Sequence, residues 1–178
     1  MVLVVGFRFG SVAFCALDQS RCSVESCDSQ YARLVQEITM KRMKTLPVRL
    51  TPGQDLRAAL EAAVLAQNCR AAFVLSGIGS LSTAGIRLAG AAQPTRLTGS
   101  MEILTLSGTV AASGDKTGSH MHMAISTATG QVLGGHVAPG CIVLTTAEVL
   151  LALLPEWQFT REPDAQTGYD ELVIRPRG

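Results

Sequence analysis

No apolar run in this chain reaches the ~18 residues a helix needs to span a bilayer. The stretch Val143 to Leu154 is interrupted by Thr145, Thr146 and Glu148, so no membrane partner is expected. Charge is scarce as well: Asp, Glu, Lys and Arg make up 16% of the residues and the net charge is +1. So small an excess gives no general attraction to nucleic acid or to anionic lipid. Set against a hydrophobic content of 47%, it points to apolar surface covered by another subunit rather than by water. No Cys-x-x-Cys occurs, which excludes a zinc knuckle or a thioredoxin-like motif. Cys15, Cys22 and Cys27 lie in the N-terminal arm, while Cys69 and Cys141 stand in apolar contexts. That odd set reads as reduced thiols in a cytoplasmic type of compartment. Cys141, close to His136, is read as a small buried hydrophobe in preference to a nucleophile.

What the chain does have is concentrated. All three histidines fall within 17 residues, in Ser119-His120-Met121-His122-Met123 and Gly134-Gly135-His136. Residues two apart on a strand leave the same face, so the rings of His120 and His122 are expected side by side. The intervening Thr127-Ala128-Thr129-Gly130 reads as a turn that folds the next strand back. If that register sets His122 opposite His136, the third ring joins the first two. This requires an odd-length loop, or a bulge at Gly134-Gly135, because a slip of one residue reverses the face. Imidazoles converging from adjacent strands form a ligand set for a divalent metal, with Zn²⁺ the expected ion. The competing reading of such a pair is a polar strand edge or a satisfied core group.

With 178 residues the chain is long enough for one domain with a real core. Residues 1–45 differ from the rest and are set apart as an arm expected to be poorly ordered. Weak organellar targeting and a start codon assigned upstream of Met40 or Met43 are both open readings of it. The domain spans 46–174, with a tail at 175–178. It opens with a strand, Pro47 to Leu50, then Thr51-Pro52-Gly53-Gln54, read as a helix start with Thr51 as N-cap and Gln54 at N3. Leu56, Leu60, Ala63 and Val64 repeat at helical spacing, and Asn68 ends the helix.

Ala71 to Leu75 reads as a buried strand and Ser76 to Ser80 as a turn. Gly77-Ile78-Gly79-Ser80-Leu81-Ser82 nearly matches a dinucleotide fingerprint, but Ala84 to Leu88 alternates as a strand where that motif needs a helix. The nucleotide reading is rejected. Met101 to Val110 is a long strand, and Cys141 to Leu151 another, with a helix from Thr146 to Leu154 as its competitor. Residues 155–168 read as loop and Leu172 to Ile174 as a closing strand. The order predicts an α+β fold, a compact and mostly antiparallel sheet with one or two flanking helices.

From Leu46 to Ile174 the chain resembles the PPC domain, the plants and prokaryotes conserved domain. The likeness rests on Leu50-Thr51-Pro52-Gly53-Gln54, on Ser76 to Leu81, on Gly99-Ser100-Met101-Glu102-Ile103 before Leu106-Ser107-Gly108, and on His120 through Glu148. Gly168-Tyr169-Asp170-Glu171-Leu172 is similar to stand-alone bacterial-type members. The resemblance implies a homotrimer, a metal site at the clustered histidines, and DNA binding by analogy with plant relatives that carry AT-hooks and act in the nucleus. This chain departs from the plant pattern. Arg175-Pro176-Arg177-Gly178 has the AT-hook residue types in the wrong order, and Ser100 and Met101 replace the Arg and Phe of the plant recruiting segment. Only Lys41, Arg42 and Lys44 form a basic run, with no interleaved aromatics, so nucleic acid ranks last among the partners.

Two function classes rank ahead of nucleic-acid binding. One is a metal-binding protein in which His120, His122 and His136 hold the ion, a small molecule is bound or hydrolysed, and a carboxylate accepts a proton. Glu102 is the first choice for that role and Glu148 the second. The other is a self-association or protein-interaction module without catalysis.

Overall fold

A computed structural model of the chain describes residues 44–111 and 118–177. Residues 1–43 of the N-terminal arm, with Cys15, Cys22, Cys27, Lys41 and Arg42, lie outside the described residues, while Lys44 and Thr45 belong to the first strand. Strand β1 (Lys44–Leu50) leads to helix α1 (Leu56–Ala66) and then to β2 (Ala71–Arg87), β3 (Thr95–Ala111), β4 (His120–Thr127), β5 (Val132–Val137) and β6 (Ile142–Leu153). These strands form an antiparallel sheet in the order β1-β6-β2-β3-β4-β5. A two-stranded ribbon of β7 (Trp157–Pro163) and β8 (Asp170–Pro176) follows. The α+β expectation holds, with one helix among the described residues.

The helix begins later than its sequence signal. Thr51 and Gln54 do meet, the Thr51 amide donating to Gln54 Oε1 at 2.7 Å, but their contact closes a turn. The cap is Asp55, which accepts from the Ala58 amide through Oδ1 (3.0 Å) and from the Gly140 amide through Oδ2 (2.7 Å). One carboxylate thus satisfies an orphan helix donor and ties the helix start to the segment before β6. Asn68 ends the helix in the left-handed region, with φ of 52°. Leu56, Leu60 and Val64 are fully buried against the sheet, each worth ~1.5–3 kcal/mol of apolar burial.

Strand β2 overturns the expected turn at Ser76 to Ser80. It runs unbroken through the Gly-x-Gly, because register shifts against β6 at Val74/Ser76 and Gly79/Leu81 absorb the irregularity within the strand. With no helix after Gly79, the nucleotide motif is absent in fact. The bends let one strand serve two neighbourhoods. Its first half pairs with β3 and β6, and its end reaches β5, where Ile86 faces Val137 and Arg87 faces His136. Strands β2, β3, β4 and β5 therefore close on one another.

The segment after Thr146 is strand, as its β-branched residues favoured. The loop reading of 155–168 is corrected, since Trp157–Pro163 is β7 and pairs along its full length with β8. Among the described residues, strands reach Lys44 and Pro176, two residues beyond each bound of the 46–174 reading. The main core lies between α1 and one face of the sheet, and includes Val74, Ile103, Leu106, Met121, Met123, Val149 and Leu151. Within Ala71 to Leu75, Ala72 and Val74 face that core, while Phe73 and Leu75 point the other way and are 39% and 45% exposed. A smaller cluster holds the ribbon: Phe159 is fully buried with Ala71 and Ala111, and its ring meets Phe73 edge-on at 5.6 Å.

Candidate functional site

Strand alternation builds the site. Met121, Met123 and Ile125 are buried in the core, so His120 and His122 must leave the opposite face of β4. The turn of residues 127–131 has an odd length and returns the chain with Ser126 opposite Val132 and His122 opposite His136. No bulge is needed, and none interrupts the β4–β5 ladder. The glycines before His136 serve another purpose. A Cβ at Gly135 would stand 2.7 Å from the Arg87 carbonyl oxygen, so only glycine lets β5 lie this close to the end of β2.

The three rings converge. Ring centroids are 5.0 Å apart for His120 with His122 and with His136, and 5.6 Å for His122 with His136. One nitrogen from each lies within 4.8 Å of the others, and the Nε2 atoms of His120 and His122 are 3.0 Å apart. Three nitrogens on one tetrahedral Zn²⁺ stand ~3.3 Å apart, given Zn–N bonds of ~2.0–2.1 Å. The observed spacings bracket that separation. His136 Nδ1 is buried with no hydrogen-bond partner among the described residues, a state that a cation or ligand relieves.

Burial first, then the His120 ring and the Arg87 guanidinium, push His136 down to about 4. His120 is lowered too, by burial and then by Arg161. Both rings are thereby neutral near pH 7, the form that binds metal. Between the ordinary value of 6.5 and about 4, the unfolded chain holds the extra proton at His136 and the folded chain does not. Stability of the metal-free protein is therefore expected to fall as pH drops through that window, with no His136 contribution above it. Urea unfolding at stepped pH reads this directly; a His136→Gln variant with the same slope as wild type would refute it.

Beside the rings lies a cleft of about 910 Å³ between the sheet and the β7–β8 ribbon. His120, His136, Arg87, Ser119 and, from the ribbon, Arg161 and Glu171 help to line it. Arg161 braces this wall, donating to the Gly118 carbonyl (3.2 Å) and Thr109 Oγ1 (3.4 Å) and standing 3.9 Å from Glu171 Oε2.

The structure does not bring Glu102 to the histidines. It is exposed opposite Ser126, four positions along β4 from His122, or ~13 Å at strand rise. Glu148 sits on β6, opposite Arg49 and Ile78, with β2 and β3 between it and β4. The carboxylates that line the cleft are Glu162, Asp170 and Glu171, all from the ribbon. The sequence reading missed them because it took Trp157 to Pro163 for loop and started its closing strand at Leu172, past Asp170 and Glu171. The alternation Trp157-Gln158-Phe159-Thr160 was the signal available. Cys141 is fully buried, its sulfur packed against Gly85 and Ala138, and burial raises its thiol pKa, so it takes no part.

Fold and site together define a small antiparallel-sheet domain with a three-imidazole cluster at the edge of a cleft. The family follows from comparison with known proteins. The chain belongs to the Plants and Prokaryotes Conserved (PCC) domain family, whose model matches residues 38–155.

A solved structure of a hypothetical protein from Salmonella is 41% identical, superposes with a TM-score of 0.70, and shares 75% of this chain and 94% of its own. A metal-containing protein from Archaeoglobus fulgidus is 28% identical at a TM-score of 0.59, over 73% of this chain and 93% of its own. A protein from Ralstonia eutropha JMP134, described as a candidate for DNA binding, is 25% identical at a TM-score of 0.62, over 79% and 100%. Among curated proteins, the bifunctional protein GlmU of Synechococcus sp. (strain JA-2-3B'a(2-13)) is 47% identical over 134 residues. That match covers 75% of this chain and 21% of the relative, so the chain spans about a fifth of its length.

Proposed function

We propose that this is a divalent-metal-binding domain in which His120, His122 and His136 hold the ion, zinc being the cation the donor set suits best. The observation that carries the reading is the convergence of three ring nitrogens within 4.8 Å, one of the rings keeping a buried, unpartnered Nδ1. A metal-containing relative with the same fold supports it. Bound there, the ion would supply a Lewis-acid centre and an acidified water. The chain's own part is to hold neutral rings on a rigid ladder anchored by Met121, Met123 and Ile125. It also places the adjoining cleft so that a small molecule reaches the same edge. The role proposed is metal-dependent binding of a small molecule, with hydrolysis the reaction such a centre suits.

Elemental analysis of purified, zinc-equilibrated protein tests this. Wild type is expected to retain roughly one ion per chain, and the His120→Ala/His136→Ala double variant to bind at least ~100-fold more weakly. Equal metal content in the two would end the reading.

We propose as well that the domain self-associates, as a homotrimer if it follows its family resemblance. Exposed Phe73, Leu75 and Ile78 of β2 and Leu144 and Leu150 of β6 support self-association. Light scattering is expected to give three times the chain mass of 18.7 kDa, and a monomer mass would exclude it. The DNA reading, raised by the Ralstonia relative, has less behind it. The net charge is +1, and in the cleft Arg87 and Arg161 alternate with Glu162, Asp170 and Glu171. A duplex-binding surface needs a continuous basic stripe.

A further inference from the structure

We propose that the cleft binds a small organic anion, a carboxylate or a phosphate ester, with the Arg87 guanidinium and the Ser119 hydroxyl as its recognising groups. The proposal rests on the cation-site reading of the adjoining histidines and names the ligand class for that site.

Arg87 is the first reason. Its backbone is fixed opposite His136 by the closure of β2 onto β5, which sets its side chain at the rim of the cluster. The residue is exposed, and its side chain makes no hydrogen bond or ion pair among the described residues. Arg161, on the facing wall, is spent on Gly118, Thr109 and Glu171. A free guanidinium is a planar fork of donors matched to carboxylate and phosphate oxygens.

Ser119 is an independent reason. It lines the same cleft next to His120, is 5% exposed, and its hydroxyl is buried with no partner among the described residues. Burying a hydroxyl unpaired costs free energy that a ligand oxygen recovers.

The charge balance gives the sign of the ligand. Glu162 is held by Arg175, with Oε2 accepting at 2.9 Å, and Glu171 faces Arg161. Asp170 and Arg87 offset each other in formal charge. Neutral imidazoles around a divalent ion then leave the cleft positive, and an anion is its complement.

The test is calorimetric titration of the full chain, zinc-loaded and chelator-stripped, with inorganic phosphate, with acetate, and with neutral acetamide. Phosphate or acetate is expected to bind the zinc-loaded protein, and whichever binds more tightly identifies the acid group. Affinity should fall at least ~10-fold in Arg87→Ala and ~5-fold in Ser119→Ala, with partial recovery in Arg87→Lys. Arg87 is exposed, so its variants fold, and their metal content should equal wild type. Equal affinity in Arg87→Ala and wild type, or acetamide binding as well as acetate, would overturn the proposal. Normal zinc content without anion binding sinks this inference alone. Anion binding by a protein that takes up no zinc sinks the metal reading instead.

Discussion

Gly108→Ala is expected to cost about 3 kcal/mol or more of unfolding free energy and to abolish zinc retention together with it. Gly108 lies on β3 opposite Met121, with φ of 143°, a conformation side chains rarely adopt. An added Cβ would stand 2.2 Å from the His120 carbonyl oxygen and 2.6 Å from Met121 Cα. Both are backbone atoms of a paired strand, so no rotamer change relieves the overlap, and β4 must move off β3. The displaced residues are His120 and its neighbour, which couples the stability loss to the site. The adjacent exposed Ser107→Ala is the control, expected within ~0.5 kcal/mol of wild type. Urea denaturation of both variants, with metal content read on the same samples, checks the coupling. A Gly108→Ala protein as stable as wild type would mean that the two strands are not this close.

Phe159→Ala should cost a similar ~3–5 kcal/mol, but with the opposite consequence for metal. Phe159 has no exposed surface, packs with Ala71, Ala111, Leu154 and Leu172, and meets Phe73 edge-on. It is the main apolar anchor of the ribbon that carries Arg161 and Glu171. Truncating it empties that cluster and loosens one wall of the cleft. The histidines sit on the β3–β4–β5 ladder and do not depend on the ribbon for register. Zinc content is therefore expected to stay near wild type while stability falls and anion affinity drops. Loss of zinc from Phe159→Ala in proportion to anion affinity would contradict this division of labour.

The histidine cluster was legible in the sequence because two short-range rules suffice for it. Period-two alternation placed His120 and His122 on one face, and the spacing to His136 left an odd turn or a bulge, of which the structure has the odd turn. Glu102 was misplaced because sharing a sheet says nothing about distance along a strand, and the ladder puts it opposite Ser126. The helix start was misjudged because Thr51 and Gln54 make a cap-like contact that a turn accommodates equally well, while Asp55 supplies the cap. The Gly-x-Gly of β2 read as a turn because glycine marks both turns and bulged strands, and only pairing on both sides tells them apart. Arg87, Ser119 and the ribbon came together through the closure of β2 onto β5 and the docking of Phe159. Those are long-range contacts with no local pattern.

X-ray absorption at the zinc edge on the zinc-loaded full chain examines the metal centre at the level of its atoms. The account predicts a first shell dominated by imidazole nitrogen at ~2.0–2.1 Å, lost in the His120→Ala/His136→Ala variant. A shell of sulfur at ~2.3 Å, or of hydrated oxygen unchanged by that variant, would show that the three rings do not hold the ion.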